Sequence, residues 1–562
     1  MRRRGDGAVR TWVAIAIVAA FIVPPLRGLY VATGGTMEEG FMLYFPMRMW
    51  EGDVPNVDFL HLYGPGALHV LMLWYKLLGS SLATERTFGL LQHLGVIFGL
   101  FALARPWGRK AATLVGVIAV FFVLTPIGLT AMAWNGGLAL TLIASVLALR
   151  AHHARSAAMA RRCLAGAGLL AALALTYRPD LLLAVGGVLA WLLCTWRQRA
   201  DVERRTAIAA VAAGGAVGLL PLWVHLGMAG IPASWRGMVL DPVFHLRGGR
   251  ELPVPPSWDY LDGALQRIAE SVPPWYPLPH VAAEQAIFLW FFAMLAVAIG
   301  LLTFAWWLRR RIADGRSAAL LVVAIVSVGI LPQGLQRPDS THLTWVTCVS
   351  WPFLVVAAAE VGRRRRPARS MRVGLAWGTA VTLALTLSLT ALFTVRYYLL
   401  HTRVSLGRVV APFLVERRGP RPDGVDGTYE FRFGAWNAAQ ASQAVVDDLA
   451  VWSRPGQRLF VGPMDLRRTW YSDVIFYWML PELEPATYYI EMDPGLANAP
   501  GGGLADELRT ADWVILTAFW AGWNEPNSSM DFGDARPNQV IRDEFCLFEE
   551  YEGGLVRLYR KC

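Results

Sequence analysis

Residues Thr36–Gly79 read TMEEGFMLYFPMRMWEGDVPNVDFLHLYGPGALHVLMLWYKLLG. Two parts of this stretch have helical spacing. Met37–Trp50 places Phe41, Tyr44, Phe45 and Met49 on one face of a helix. Ala67–Gly79 is apolar but too short to cross a bilayer, which takes about 20 residues. Gly64-Pro65-Gly66 breaks the chain between them. Long apolar runs flank the stretch, Thr11–Thr33 before it and Thr84–Ala104 after it. The pattern predicts a first inter-span loop built as a platform of two helices lying in the membrane interface.

Working outward, eleven segments are candidate spans: Thr11–Thr33, Thr84–Ala104, Ala111–Leu129, Gly136–Leu149, Cys163–Tyr177, Leu181–Trp196, Thr206–Met228, Gln285–Leu308, Ser317–Pro332, Leu343–Val361 and Val373–Tyr397. Several are short and must extend or lean on neighbours. The polar residues between them sort by sign. Arg2–Arg4, Arg105/Arg109/Lys110, Arg150–Arg162, Arg197–Arg205, Arg309–Arg316 and Arg363–Arg372 alternate with loops that carry acids, isolated arginines and a histidine. Short basic loops stay cytoplasmic. Glu38, Glu39, Asp58, Arg178, Asp180, Arg337, Asp339 and His342 therefore gather on the external face, and so does the C-terminal tail. The first segment has the arginine n-region of a signal peptide, but Val31–Thr36 runs straight into the acidic motif, so a retained signal anchor with a cytoplasmic N-terminus is expected.

Composition agrees with a multi-pass membrane protein. Of 562 residues, 55% are hydrophobic and only 17% charged, where a soluble protein carries about a quarter. The net charge of +10 comes from loop arginines and forms no basic stripe on a soluble module, so nucleic acid is not an expected partner. Lysine occurs only at positions 76, 110 and 561, a bias that reads as a GC-rich bacterial genome.

From about His401 the chain becomes acidic and alternates helix-like and strand-like stretches: Ala438–Trp452 then Arg458–Val461, Asp473–Leu480 then Thr487–Ile490, Leu504–Thr510 then Trp513–Thr517. This predicts an external α/β domain over 401–562 behind a membrane domain over 1–400. Glu544–Tyr551 and Leu555–Lys561 form a last hairpin around Gly553-Gly554, and a three-residue loop would set Cys546 opposite Cys562, where a disulfide is allowed outside the cytoplasm. Cys163, Cys194 and Cys348 read as small buried residues. Ala229–Glu284, rich in proline and aromatics, reads as a mobile cover over a lipid-facing groove.

The chemistry-bearing residues are few. Glu38 and Glu39 open the platform helix. Thr36 and Glu39 fit a capping box, which gives Glu39 a structural task and frees Glu38 to act as general base. Asp58 would orient a hydroxyl, tune the first acid or help hold a metal, although a turn aspartate has the same appearance. Arg178-Pro179-Asp180 and Arg337-Pro338-Asp339 repeat one tripeptide at two helix junctions. The arginine fork suits a phosphate, and His342 could bond the same group; local Arg–Asp pairing competes with that reading. There is no zinc spacing, phosphate loop or nucleophile elbow. No cofactor is expected, and nothing indicates a divalent metal. Nucleotide-linked donors are disfavoured, so the substrate must bring its energy from the lipid phase.

The Thr36–Gly79 stretch resembles the first external loop of the GT-C membrane glycosyltransferases, a superfamily that includes protein O-mannosyltransferases, the lipid A aminoarabinose transferase and cell-wall arabinofuranosyltransferases. The shared features are the acidic pair, the tyrosine-bearing helix, Gly52, Asp58-Phe59, Tyr63 and Pro65. Gln336–Leu343 (QRPDSTHL) resembles a later Arg/His motif of the same proteins. The resemblance implies an inverting transfer from a polyprenyl-phosphate sugar to a hydroxyl of a glycan, lipid or protein. Glu38 then stands where the family usually has aspartate, with Glu39 as the alternative. Arg337, His342 and Arg178 are implied donor-phosphate ligands, with Asp180, Asp339, His61 and Tyr63 in support. Two other classes fit a polytopic chain: a transporter, and a glycan or lipid binder without catalysis. Trp520, Trp523 and Asn524 of the tail would suit a glycan, but each reads more readily as core.

Overall fold

Each of the eleven apolar segments contains a helix in the computed structural model, which describes residues 2–124, 128–196, 202–268, 270–365 and 371–562. Among the described residues, eight helices are long and apolar enough to cross a membrane: Thr11–Tyr30, Leu82–Trp107, Ala133–His152, Ala157–Tyr177, Ala283–Arg311, Gly315–Gln336, Ser340–Arg363 and Met371–Thr390. A further pair, Arg204–Gly218 and Leu220–His245, meets the same test together but bends by 48°. The segments at 111–129 and 181–196 hold the shorter helices Arg109–Val123 and Leu182–Thr195. Small residues let such helices pack closely. A Cβ at Gly214 would lie 1.9 Å from the Ala165 carbonyl oxygen, and one at Gly168 would lie 2.1 Å from that of Val211. Positions 197–201 and 366–370 of two arginine-rich loops, and 125–127 of one apolar segment, lie outside the described residues.

The basic loops have an internal anchor. Glu360, buried, accepts from Trp107 Nε1 at 3.0 Å and pairs with Arg363 at 2.9 Å and Arg316 at 3.5 Å. One carboxylate thus ties the end of its own helix, Leu354–Arg365, to two inter-helix connections.

The platform differs from its expected form. Helices occur at Glu38–Glu51 and Gly66–Leu78, but the first is buried from Glu39 through Met49. The C-terminal domain lies on it. Tyr44 stacks on Tyr477 with ring centroids 5.5 Å apart, and a Cβ at Gly40 would lie 2.9 Å from the Ile475 amide nitrogen. An apolar helix face is stabilised by any dry partner, so its periodicity does not say whether lipid or protein covers it. Gly66–Leu78 alone keeps an apolar face open, with Leu73, Leu77 and Leu78 at 55%, 78% and 58% exposure. The capping box is absent: Met37 precedes the helix without a side-chain cap, and Thr36 Oγ1 donates to Asp473 Oδ1 at 2.5 Å.

The helix Val395–Ser405 packs against the first helix, where Tyr398 Oη donates to the Phe21 carbonyl at 2.7 Å. We therefore place the division between the two halves after Ser405, before β1. Strands β1 (Phe413–Pro420) and β2 (Asp426–Phe433) pair antiparallel as a hairpin that the sequence reading had not marked. The helix Trp436–Trp452 follows. The remaining strands are β3 (Arg458–Pro463), β4 (Glu484–Pro485), β5 (Trp513–Thr517), β6 (Phe545–Tyr551) and β7 (Val556–Lys561), in sheet order β4-β3-β5-β7-β6. β3 runs parallel to β4 and β5, and β7 is antiparallel to β5 and β6.

Two expectations change here. Thr487–Ile490 is not a strand, because the sheet takes only Glu484–Pro485 and then releases the chain toward the membrane half. The last turn spans the four residues Glu552–Leu555 rather than three, with positive φ at Glu552, Gly553 and Gly554. Cys546 and Cys562 form a disulfide, Cα–Cα 5.3 Å. Cys163 and Cys348 are buried, while Cys194 is exposed on its helix.

Candidate active site

A cavity of 1020 Å³ lies between the two halves. The start of the platform helix contributes Glu38. The helix junctions contribute Arg178, Asp180, Arg337 and His342; the 229–284 loop contributes Arg247 and Arg250; and the C-terminal domain contributes Tyr471, Glu491, Asp493, Trp520 and Trp523. Helix ends and loops supply these groups because a mid-span charge would have to be dehydrated at large cost. Residues of the 229–284 segment line the cavity. The π-helix of this segment, Arg236–His245, leads into Arg247–Arg250, which packs on the Ser528–Met530 turn of the other half.

Glu38 is half-buried on the wall. Loss of water pushes its carboxyl above the ordinary glutamate range, while its backbone hydrogen bond and the charges of Arg250, Arg337 and His342 pull the other way. Glu39, one residue on, points elsewhere. It holds Arg86 through two bonds of 2.7 Å, with both residues almost fully buried, and Arg86 also donates to the Tyr30 carbonyl at 2.7 Å. The task that separates the two glutamates is therefore this ion pair and not a cap.

The other first-loop candidates divide. Asp58 is exposed, does not line the cavity, and accepts the Val54 amide at 2.7 Å in a tight turn; the turn-aspartate reading is the one its position fits. His61 is buried among Phe41, Phe45 and Tyr63 behind the wall, with Nδ1 3.9 Å from Glu491. Burial and the nearby His225 lower its pKa to about 3, which keeps it neutral. Tyr63 lines the cavity and carries the Arg178 guanidinium 4.9 Å from its ring centroid.

Local Arg–Asp pairing is present at both junctions. Arg178 binds Asp180 through bonds of 3.0 and 2.7 Å, and Asp180 also accepts from Gln333. Arg337 Nε donates to Asp339 at 2.8 Å, and its two terminal nitrogens reach Glu525 at 2.9 and 2.5 Å. Asp339 caps the next helix through the amides of Thr341 and His342, both at 3.0 Å, and takes His342 Nδ1 at 3.0 Å. Burial alone would raise the Asp339 carboxyl; His342 and Arg337 outweigh it and hold the pKa at about 2. This partner fixes the histidine tautomer and leaves Nε2 as the ring atom for a ligand.

Sequence reasoning missed Arg250, Glu491, Asp493 and Glu525. Arg250 donates to Asp493 Oδ1 at 2.7 Å and lies 4.0 Å from the Tyr471 ring centroid. Its neighbours in sequence form no motif, and only folding brings it beside Glu38. Among the described residues no group of three or more His, Cys, Asp or Glu side chains is arranged to hold a metal ion.

No protein-family model and no curated protein sequence matches the chain. Solved structures do resemble it. ArnT from Cupriavidus metallidurans bound to undecaprenyl phosphate superposes with a TM-score of 0.52 at 12% identity, covering 98% of this chain and 97% of that one. An oligosaccharyltransferase from Archaeoglobus fulgidus tethered to an acceptor peptide gives a TM-score of 0.44 at 9% identity over 98% of this chain and 74% of that one. The near end-to-end correspondence with ArnT includes both the helical half and the appended domain, so this chain is a multi-pass membrane protein with the fold of ArnT.

Proposed function

We propose that the protein is an inverting glycosyltransferase that moves a sugar from a polyprenyl-phosphate carrier to an acceptor hydroxyl at the outer face of the cytoplasmic membrane. One observation carries this reading: the Glu38 carboxyl lines a single cavity with Arg250, Arg337 and His342.

The acceptor oxygen attacks the anomeric carbon as Glu38 takes its proton, and the bond from that carbon to the carrier phosphate breaks with its electron pair leaving on phosphate. A carboxyl with a raised pKa is the stronger base once ionised. Arg250 and the Nε2 side of His342 face the departing phosphate and offset its charge. Arg337 contributes less than its motif suggests, because Glu525 and Asp339 already hold most of its N–H groups. Arg178, paired to Asp180, borders the same space. Val239, Val243 and Leu246 of the 229–284 segment, with Leu400, Val404 and Val410 beyond the last membrane helix, give the carrier an apolar bed. The ArnT structure holds undecaprenyl phosphate, which supports a carrier of this class.

The test is turnover of synthetic polyprenyl-phosphosugars by full-length protein in lipid nanodiscs, with mass spectrometry of co-purified lipid. Glu38→Gln should lose about 10²–10⁴-fold in transfer while remaining folded. A fully active Glu38→Gln protein, or wild type that releases no polyprenyl phosphate from any donor, overturns the proposal.

A further inference from the structure

The C-terminal domain presents Glu491 and Asp493 on the wall of the same cavity as Glu38, each 2% exposed. Charged residues this deep normally have all their hydrogen bonds made. Here, among the described residues, Glu491 Oε1, which lies 3.9 Å from His61 Nδ1, Asp493 Oδ2, Arg250 Nη1 and the Trp523 indole nitrogen are buried without a hydrogen-bond partner. Asp493 Oδ1 is bonded to Arg250 Nη2 at 2.7 Å, which fixes the two side chains against each other. The chain delivers this cluster because β4 ends after two residues and the following segment, 486–495, leaves the sheet and turns to the membrane half. There Gly249 packs on Pro494.

We infer that Glu491, Asp493, Arg250 and Trp523 form the subsite for the transferred sugar, and that they select an uncharged polyhydroxylated ring. The inference rests on the glycosyltransferase reading above and names the substrate class of the same site. The argument is one of donors and acceptors. The cluster offers N–H donors from Arg250 and Trp523 and carboxylate acceptors from Glu491 and Asp493, side by side. A hydroxyl donates and accepts, so a diol satisfies both kinds. A carboxylate substituent on the ring only accepts and would face the Asp493 lone pairs. An ammonium only donates and would face the Arg250 N–H groups. Burial and the Asp493 charge raise the Glu491 carboxyl well above its usual range, while Arg250 opposes this. Glu38 is close enough to influence the same carboxyl, which places the bound ring beside the base.

The experiment compares binding of polyprenyl phosphate alone with its neutral mannosyl and arabinosyl derivatives, a 4-amino-4-deoxy analogue and a uronic acid analogue, read by tryptophan fluorescence in nanodiscs. At least one neutral sugar should add about tenfold to the affinity of the bare carrier, the worth of one charged hydrogen bond. Glu491→Leu should abolish that gain and leave carrier affinity unchanged; Glu491→Gln, which still donates and accepts, should restore most of it. If Glu491→Leu does not fold, Trp523→Phe provides the same comparison. Preference for the amino or uronic analogue, or an unchanged sugar gain in these variants, overturns the inference. Failure of wild type to transfer any sugar overturns the underlying reading instead, so the two failures are distinct.

Discussion

Arg337 of the membrane half is gripped by Glu525 of the C-terminal domain, Nη1 to Oε2 at 2.9 Å and Nη2 to Oε1 at 2.5 Å, with both side chains almost fully buried. The two halves thus meet through a two-bond ion pair at the edge of the cavity. Removing one member of such a pair leaves a buried charge and costs about 3–5 kcal/mol. Glu525→Leu should therefore lower the thermal unfolding midpoint and expose sites to protease at the junction between the halves. A midpoint equal to wild type would show that the pair is not a tie between them.

Glu38 and Glu39 should separate cleanly when each is changed to glutamine. Glu39→Gln breaks the buried pair with Arg86, with a stability loss of the same order, about 3–5 kcal/mol, and near-normal transfer per folded molecule. Glu38→Gln does the reverse. Thermal unfolding and transfer measured on the same samples decide between the two roles.

The acid limb of kcat/KM should lie above the ordinary carboxylate range. Dehydration raises the Glu38 pKa, and the base must be ionised to accept a proton. Activity is therefore full above that raised pKa and falls as pH drops through it. A profile that stays flat down to the usual glutamate pKa, about 4.3, would assign the limb to another group.

Asp58→Ala should leave both transfer and stability near wild type, because this side chain is exposed and serves only the Val54 turn. A large loss of transfer, with folding intact, would return Asp58 to the site.

Reduction of the Cys546–Cys562 bridge releases a link of sequence separation 16, and loop closure of that size is worth about 3 kcal/mol. The β5–β7 ladder holds the hairpin independently. The expected outcome is a lower unfolding midpoint of the C-terminal domain with unchanged transfer.

Much of this molecule can be read without coordinates. The positions of the apolar helices, the sorting of charge between loops, the last hairpin with its bridge and the candidacy of Glu38 all come from local signals: apolar length, sign bias, period and turn residues. These act through bilayer and backbone constraints that a short window already contains. The partners of each charge could not be read in that way. Glu39 finds Arg86, Arg337 finds Glu525, and Arg250 finds Asp493 across separations of 47, 188 and 243 residues. The platform helix carries an apolar face that would serve lipid as well as protein, and only the docked domain shows which one covers it. Periodicity records that a face must be dry and cannot record what dries it. Electrostatic pairing depends on distance in space, which long-range packing sets.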